Sequence, residues 1–180
     1  MISMKPTTER IDNGGGEHEM KKTIALVVAS LAALMVLASC GAKPETVSMY
    51  DLNKAMSAAV SLSDMKYVSS ADDNAEDLFA NVSDMDYGKV NAFFINYAAN
   101  GKGNADEIVA IQVKNKSDVT EAAASLKAHW EKRQSLYATY DKTQVDKLSR
   151  GKVITKNDVA ALIVADNADK AEKAFYDFLG

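Results

Sequence analysis

Apolar residues recur at two different spacings along the chain, and each spacing predicts a different kind of element. Around position 52 they lie three and four residues apart, which is the spacing of one helix face; they are Leu52, Ala55, Met56 and Ala59. A shorter helix is predicted from Ala75 to Val82, because the Asp and Asn residues at 72–74 can cap its N-terminus. This part of the chain is therefore expected to begin with two helices.

Two segments rich in β-forming residues follow these helices. The first runs from Val90 to Ala99 and the second from Ile108 to Val113. The segment 100–103 between them has the sequence Asn-Gly-Lys-Gly, which is typical of a turn. The pattern predicts a β-hairpin.

A long amphipathic helix is the clearest pattern in the sequence. Asp118 and Glu121 have the spacing of a capping box, which marks a helix N-terminus. Apolar residues then follow one stripe of the predicted helix; they are Val119, Ala122, Ala123, Leu126, Trp130, Tyr137 and Tyr140.

A second pair of strands and a last helix are predicted near the C-terminus. Lys152 to Thr155 is followed by the turn pair Asn157-Asp158 and by seven consecutive apolar residues, Val159 to Ala165, which indicate a central strand. Asp and Asn residues at 166–169 can cap the last helix. Its inward-facing residues are expected to be Ala168, Ala171, Ala174, Phe175, Phe178 and Leu179.

The two strand-helix segments resemble each other at a constant offset of 51 residues. Asp118 and Glu121 correspond to Asp169 and Glu172, and Ile108 corresponds to Val159. We therefore expect an α+β fold, in which two N-terminal helices precede a ββα unit used twice. The four strands would form a mainly antiparallel sheet with the two long helices on one face. Chance similarity between two amphipathic segments is the alternative explanation.

The apolar residues of the N-terminal part have a different arrangement, which is typical of a secretion signal. Ile24 to Leu37 is apolar except for Ser30 and follows Lys21-Lys22. This stretch is shorter than the roughly 20 residues that a membrane-spanning helix needs. An uncleaved anchor helix or a buried core helix is the alternative interpretation.

The residues after this apolar stretch resemble a bacterial lipobox. They are Leu37, Ala38, Ser39, Cys40 and Gly41, so that a Leu stands three positions before the Cys and two small residues separate them. The resemblance implies that the Cys40 thiol receives a diacylglycerol group and becomes the acylated N-terminus after cleavage. Two or more acyl chains hold a protein durably on a bilayer. We expect no cofactor other than this lipid.

These observations divide the chain into four parts. Residues 20–39 are the lipoprotein signal peptide, 40–46 are a lipidated tether, and 47–180 are a single globular domain. Residues 1–19 carry four acidic residues where such a signal should be short and basic. We interpret them in one of two ways: either translation starts at Met20 and residues 1–19 are not part of the protein, or they form a disordered extension.

Composition and charge exclude several kinds of site. A single Cys excludes an intramolecular disulfide and a multi-Cys zinc site. The net charge of −4, without basic tracts, argues against nucleic acid as a partner. His129 is the only histidine left after signal cleavage, so that neither a Cys-His pair nor the usual three-ligand zinc set is available.

Three side-chain groups remain as candidates for chemistry. Acidic residues between Asp72 and Asp86 could hold calcium, but the loop lacks the Gly and the distal Glu of an EF-hand, and a solvated helix-capping surface is the simpler interpretation. Paired carboxylates of a hydrolase are a further, weaker possibility. A binding face for a peptide or glycan is predicted from aromatic residues of the long helix, namely Trp130, Tyr137 and Tyr140.

The order of segments also resembles a family of uncharacterised lipoproteins of Firmicutes, the domain of unknown function 4358. The residues concerned are Ala105 to Ile108, Arg133 to Tyr140 and Asp166 to Lys173, and the similarity covers about residues 50–180. The resemblance implies a protein on the outer face of the cytoplasmic membrane, in the cell envelope of a single-membrane bacterium. It implies no activity.

From these features we expect a non-enzymatic extracytoplasmic lipoprotein that binds a protein, a peptide or an envelope component. A small-molecule or metal-ion capture domain associated with a transporter is the alternative, and a carboxylate-dependent envelope hydrolase is a third.

Overall fold

The computed structural model describes residues 46–62, 64–99 and 103–180, all within one compact unit, Pro44–Gly180. Its helices are α1 (Met49–Ala58), α2 (Ala75–Phe79), α3 (Val119–Tyr140), α4 (Val145–Ser149) and α5 (Ala168–Leu179). Its strands are β1 (Met65–Ser69), β2 (Val90–Ala98), β3 (Glu107–Val113), β4 (Lys152–Lys156) and β5 (Val159–Val164).

The strands form one antiparallel sheet in the order β1-β2-β3-β5-β4. The α+β class, both predicted hairpins and the interior position of β5 are confirmed. The predicted four-stranded sheet is wrong, because β1 adds a fifth strand beside β2. In β1 only Ser69 is buried, so this edge strand lacks the alternating apolar pattern that marks the other strands.

Helices cover both faces of the sheet. Leu126 of α3 packs with Val109 of β3 on one face, whereas Phe175 of α5 packs with Ile108 on the other. The prediction that the two long helices share a face is therefore wrong. The physical reason lies in β3 and β5, whose residues are all buried. A strand that is apolar on both sides needs cover on both sides.

The internal similarity extends to the strands but not to the helices. Ile108 pairs with Ile163 and Gln112 pairs with Val159, so the offset of 51 residues converts one pair into the other. A two-fold axis normal to the sheet produces this register, and it would also place both helices on one face. Because α3 and α5 lie on opposite faces, the two ββα units share the same order of elements, but their helices pack on the sheet differently.

The start of α3 also differs from its prediction. Asp118 is the N-cap, but its side chain makes no capping hydrogen bond. Glu121 pairs instead with Lys89, at 2.6 Å. The helix is entered through a short 3-10 turn, Lys116–Asp118, which replaces the predicted capping box.

The predictions for residues 1–45, including the signal segment and Cys40, lie outside the described residues. So does most of the turn predicted at 100–103. Among the helices that the structure describes, none combines the length and the hydrophobicity needed to span a membrane.

Candidate functional site

An open groove of about 370 Å³ lies beside β1, on the face of the sheet that α1 covers. Backbone and side chains from the start of α1 form one wall, and β1 with the turn after it forms the other. We call this the tyrosine groove; its lining is Val47, Ser48, Met49, Tyr50, Tyr67, Ser69, Ser70, Ala71 and Ala92.

Two tyrosines give the groove its exposed aromatic surface. Tyr50 is 65% exposed and Tyr67 is 38% exposed. Their rings meet edge to face with centroids 6.3 Å apart, and the Tyr67 ring stacks on Phe94 of the core at 6.2 Å. Partial burial raises the pKa of the Tyr67 phenol. The exposed parts of the two rings present apolar surface to solvent.

The position of both rings follows from local structure. Ser48 caps α1 by accepting a hydrogen bond from the Asp51 N–H at 3.3 Å, which fixes where the helix begins. Because Leu52 and Met56 turn one face of α1 toward the core, Tyr50 is left on its outer side. Tyr67 reaches the same place through its pairing with Asn96 of β2.

A second polar arrangement, the Glu107 cluster, is buried under α3 and consists of Glu107, His129 and Arg133. Glu107 is 4% exposed. Its Oε2 lies 3.0 Å from His129 Nε2 and 2.8 Å from Arg133 Nη1. Burial raises the pKa of the Glu107 carboxyl, but the hydrogen bond from His129 and the charge of Arg133 outweigh it, so that this pKa lies below its usual value.

Neighbouring contacts show that the Glu107 cluster fastens the start of β3 to the helices. Arg133 also donates to the Ala105 carbonyl at 3.3 Å and lies over the Tyr137 ring at 5.6 Å. Lys147 of α4 binds Asp106 at 2.7 Å. The described residues contain no buried side-chain nitrogen or oxygen without a hydrogen-bond partner. The cluster therefore holds the start of β3 to the helices, and each of its fully buried polar atoms has a partner.

Of the three aromatic residues proposed as a binding face, the structure brings Tyr137 and Tyr140 into contact, with ring centroids 5.3 Å apart, but it leaves little of the set exposed. Trp130 is half-buried, and its Nε1 donates to the Leu148 carbonyl at 2.8 Å. Tyr137 is 9% exposed and donates from its hydroxyl to the Asn104 carbonyl at 3.1 Å. Tyr140 is 57% exposed. Of the three, only Tyr140 presents a largely exposed ring to solvent.

The acidic residues between Asp72 and Asp86 are spread over turns and helix α2. Asp72 accepts a hydrogen bond from the Ser69 N–H at 2.7 Å, and Asp86 accepts one from the Gly88 N–H at 2.8 Å. In the part of the chain that the structure describes, no three His, Cys, Asp or Glu side chains are grouped as a metal site would require. Asp72 and Asp86 thus act as turn and cap residues.

A smaller concavity of about 180 Å³ lies beside the N-terminal half of α3. Ser125 on its wall donates to Asp84 at 3.0 Å and lies 2.6 Å from the Ser83 hydroxyl. His129, also on the wall, is bound to Glu107. The serine and the histidine thus have separate partners.

Sequence reasoning did not single out Tyr50 or Glu107. The signal for Tyr50 was present, because an aromatic residue that precedes Leu52 by two positions falls off the apolar stripe of its helix and is expected to be exposed. Glu107 could not be found from the sequence, since its partners are more than 20 residues away in the chain.

The comparisons with known proteins give a family and no activity. No curated protein and no solved structure matches the chain. A family model described as a domain of unknown function matches residues 58–165, which is more than half of the chain. The match covers the sheet from β1 to β5 and includes α3. The chain therefore belongs to the DUF4358 family.

Proposed function

We propose that this protein is a lipid-anchored extracytoplasmic binding domain, and that the tyrosine groove receives a segment of a protein or another polymer of the cell envelope. The observation that carries the proposal is the pair of exposed rings, Tyr50 and Tyr67, beside an open edge of the sheet. Aromatic rings supply a large contact area at a low cost in side-chain entropy, and they are enriched where proteins bind each other.

The predicted anchor supports a role at the membrane surface. Cys40 precedes Thr46, the first described residue, by six positions, so an extended tether spans at most about 20 Å. A ligand that binds the groove would then be held close to the outer face of the cytoplasmic membrane. The anchor is tested by mass spectrometry of the native protein and of a Cys40→Ser variant. We expect an acylated N-terminal Cys40 in the first and release from the membrane in the second.

The contacts of the polar residues favour binding over catalysis. His129 is bound to Glu107, and Ser125 is bound to Asp84 rather than to a histidine. A nucleophile needs a base within hydrogen-bond reach. The base within reach of Ser125 is the Asp84 carboxylate, which is weaker than a histidine, and His129 on the same wall is held by Glu107.

Capture from detergent-solubilised native membranes tests the binding role. The full-length protein is compared with a Tyr50→Ser/Tyr67→Ser variant and with a control, Tyr140→Ser/Tyr176→Ser, which also removes two exposed tyrosines. A partner enriched by the wild type and the control, and lost with the groove variant, is the expected result. A partner profile that is the same for all three proteins would refute the groove as the binding site.

Capture of a small molecule is the second candidate, and the concavity of about 180 Å³ beside α3 favours it. A ligand bound only by the folded state raises the melting temperature. The test is a panel of metabolites. A metabolite that raises the melting temperature of the wild type, but not that of a Lys132→Ala variant of the concavity wall, would support this role.

A further inference from the structure

In the part of the chain that the structure describes, the outer edge of β1 has hydrogen-bonding groups that no strand uses. The Ser70 N–H donates to the Phe93 carbonyl at 3.1 Å, and the Ala99 N–H donates to the Asp64 carbonyl at 2.8 Å. In an antiparallel pair, hydrogen-bonded residues alternate with residues whose backbone groups point away from the partner. The backbone groups of Met65, Tyr67 and Ser69 therefore point away from β2.

The turn after β1 uses one of these three residues. The Ser69 N–H donates to the Asp72 carboxylate at 2.7 Å, and the Ser69 carbonyl accepts from the Asp72 N–H at 3.1 Å. Met65 and Tyr67 remain, with two N–H donors and two carbonyl acceptors that no described residue binds. An edge of this kind is a template for a further strand.

The open edge adjoins the tyrosine groove. Helix α1 packs over β2 and β3, and α5 packs over β4 and β5, so the helices on this face lie over the other four strands. Met65 and Tyr67 point to this face, because Tyr67 stacks on Phe94. Alternate side chains of an added strand would therefore lie on the same face as the rings of Tyr50 and Tyr67.

The charge around the edge is strongly negative. Between Tyr50 and Phe79 the chain has two cationic residues, Lys54 and Lys66, against six acidic ones; these are Asp51, Asp64, Asp72, Asp73, Glu76 and Asp77. Among the described residues, none of these eight side chains takes part in an ion pair. The surface complements a positively charged segment.

We infer that β1 accepts an extended, basic peptide segment of another protein as an additional strand, with an apolar or aromatic side chain of that segment in the tyrosine groove. Main-chain hydrogen bonds would supply the pairing, and the groove and the carboxylates would supply the selectivity. The inference rests on the proposed function, because it gives the ligand class and the binding mode of the same groove.

A second copy of the chain fits this edge poorly. Antiparallel pairing of two β1 strands would bring together two surfaces that each have six acidic and two basic side chains. Like charges placed opposite each other across a sheet destabilise the pairing. A basic strand brings charges of the opposite sign to the same positions.

Hydrogen exchange with two synthetic peptides tests the binding mode. Both peptides have about seven residues that alternate Val and Tyr with a charged residue, Lys in one and Glu in the other. They are added to the full-length protein in detergent micelles. We expect the Lys peptide to slow exchange of the Met65 and Tyr67 amides more than about tenfold, while the Lys66 amide, already bonded to β2, changes little.

Three results would overturn the inference. In the first, the Lys peptide binds without slowing exchange at Met65 and Tyr67. In the second, the Glu peptide binds equally well. In the third, neither peptide binds, although membrane capture still shows a partner that depends on the groove. The proposed function survives all three results. A capture profile that the Tyr50→Ser/Tyr67→Ser change leaves unaltered would overturn both the proposed function and this inference.

Charge variants supply a matched control for the electrostatic part. Asp73→Asn/Asp77→Asn removes two exposed carboxylates, one in the segment after β1 and one on α2, which packs against β1. Glu131→Gln/Asp146→Asn removes two exposed carboxylates on α3 and α4. Both changes shift the net charge equally. We expect the first variant to bind the Lys peptide about tenfold more weakly at low salt, and the second to bind it within about twofold of the wild type. Equal losses in the two variants would overturn the electrostatic part.

Discussion

Replacement of Glu107 by Gln is the sharpest test of what holds β3 against α3. The substitution keeps the size of the side chain but removes the negative charge. Arg133 and His129, both largely buried, then lose the anion that lies 2.8 Å and 3.0 Å away. A cationic group without its counter-ion in such a place destabilises the fold.

The expected loss follows from the surroundings of Arg133. Breaking a fully buried ion pair costs about 3–5 kcal/mol. Arg133 keeps its bond to the Ala105 carbonyl and its contact with the Tyr137 ring, and it remains partly in water. We therefore expect Glu107→Gln to lower the free energy of unfolding by about 2–3 kcal/mol at neutral pH. The control is Glu131→Gln, which removes an exposed ion pair with Lys127 and should cost at most about 0.5 kcal/mol.

The pH dependence gives an independent check. The Glu107 pKa is lowered in the folded state, so its contribution is present above the unfolded-state pKa of about 4.3 and is lost as the pH falls through the folded value. Urea titrations at about pH 7 and at decreasing pH should show the gap between wild type and Glu107→Gln narrowing below about pH 4.3. A gap under about 0.5 kcal/mol at neutral pH, or one that stays constant into acid, would refute the reasoning.

Other predictions test the packing and the groove separately. Gly151→Ala places a Cβ 2.7 Å from Trp130 Nε1, so we expect a loss of about 2 kcal/mol and a changed emission spectrum of the one tryptophan. Leu126→Ala, at a fully buried site, should lower the free energy of unfolding by about 3 kcal/mol in urea titrations, whereas Leu136→Ala, at an exposed site on the same helix, should change it by less than about 0.5 kcal/mol. A spectrophotometric titration of tyrosine should lose a late-titrating phenol in Tyr67→Phe, since burial raises the pKa of Tyr67; an unchanged curve would contradict the described packing.

Elements with a strong pattern could be predicted from the sequence, and elements with weak patterns could not. Val159 to Ala165 is apolar throughout, and it forms the interior strand β5. The edge strand β1 contains Lys66 and an exposed tyrosine, so its pattern resembles that of a loop. The sequence predicts no helix at the position of α4, because only Val145 and Leu148 interrupt a short polar stretch.

The sequence contains the evidence that helices cover both faces of the sheet, but the prediction relied on the internal similarity instead. The offset of 51 residues suggested two equivalent units and hence helices on one face. The strands carry the contrary evidence, since Ile108 and Val109 of β3 are adjacent, large and apolar. Adjacent residues of a strand point to opposite faces, so both faces must be covered.

The tyrosine groove was beyond sequence reasoning for a geometric reason. Tyr50 and Tyr67 belong to different elements, and only the pairing of β1 with β2 brings β1 toward the start of α1. The residues that sequence reasoning favoured, Trp130 and Tyr137, are spaced as one helix face should be. Their spacing is that of a core stripe, and the structure uses them to bind backbone carbonyls.

Stability and binding can be tested separately because the Glu107 cluster and the tyrosine groove lie on opposite faces of the sheet. Glu107 points toward α3, whereas Tyr67 stacks on Phe94 on the side of α1 and α5. A change to Glu107 weakens the attachment of α3 and leaves the groove wall intact in every molecule that remains folded. A change to Tyr50 removes contact surface for a ligand and costs little stability, because this side chain is 65% exposed. Loss of peptide binding by Glu107→Gln under conditions where it is fully folded would therefore mean that the sheet transmits a change between its two faces.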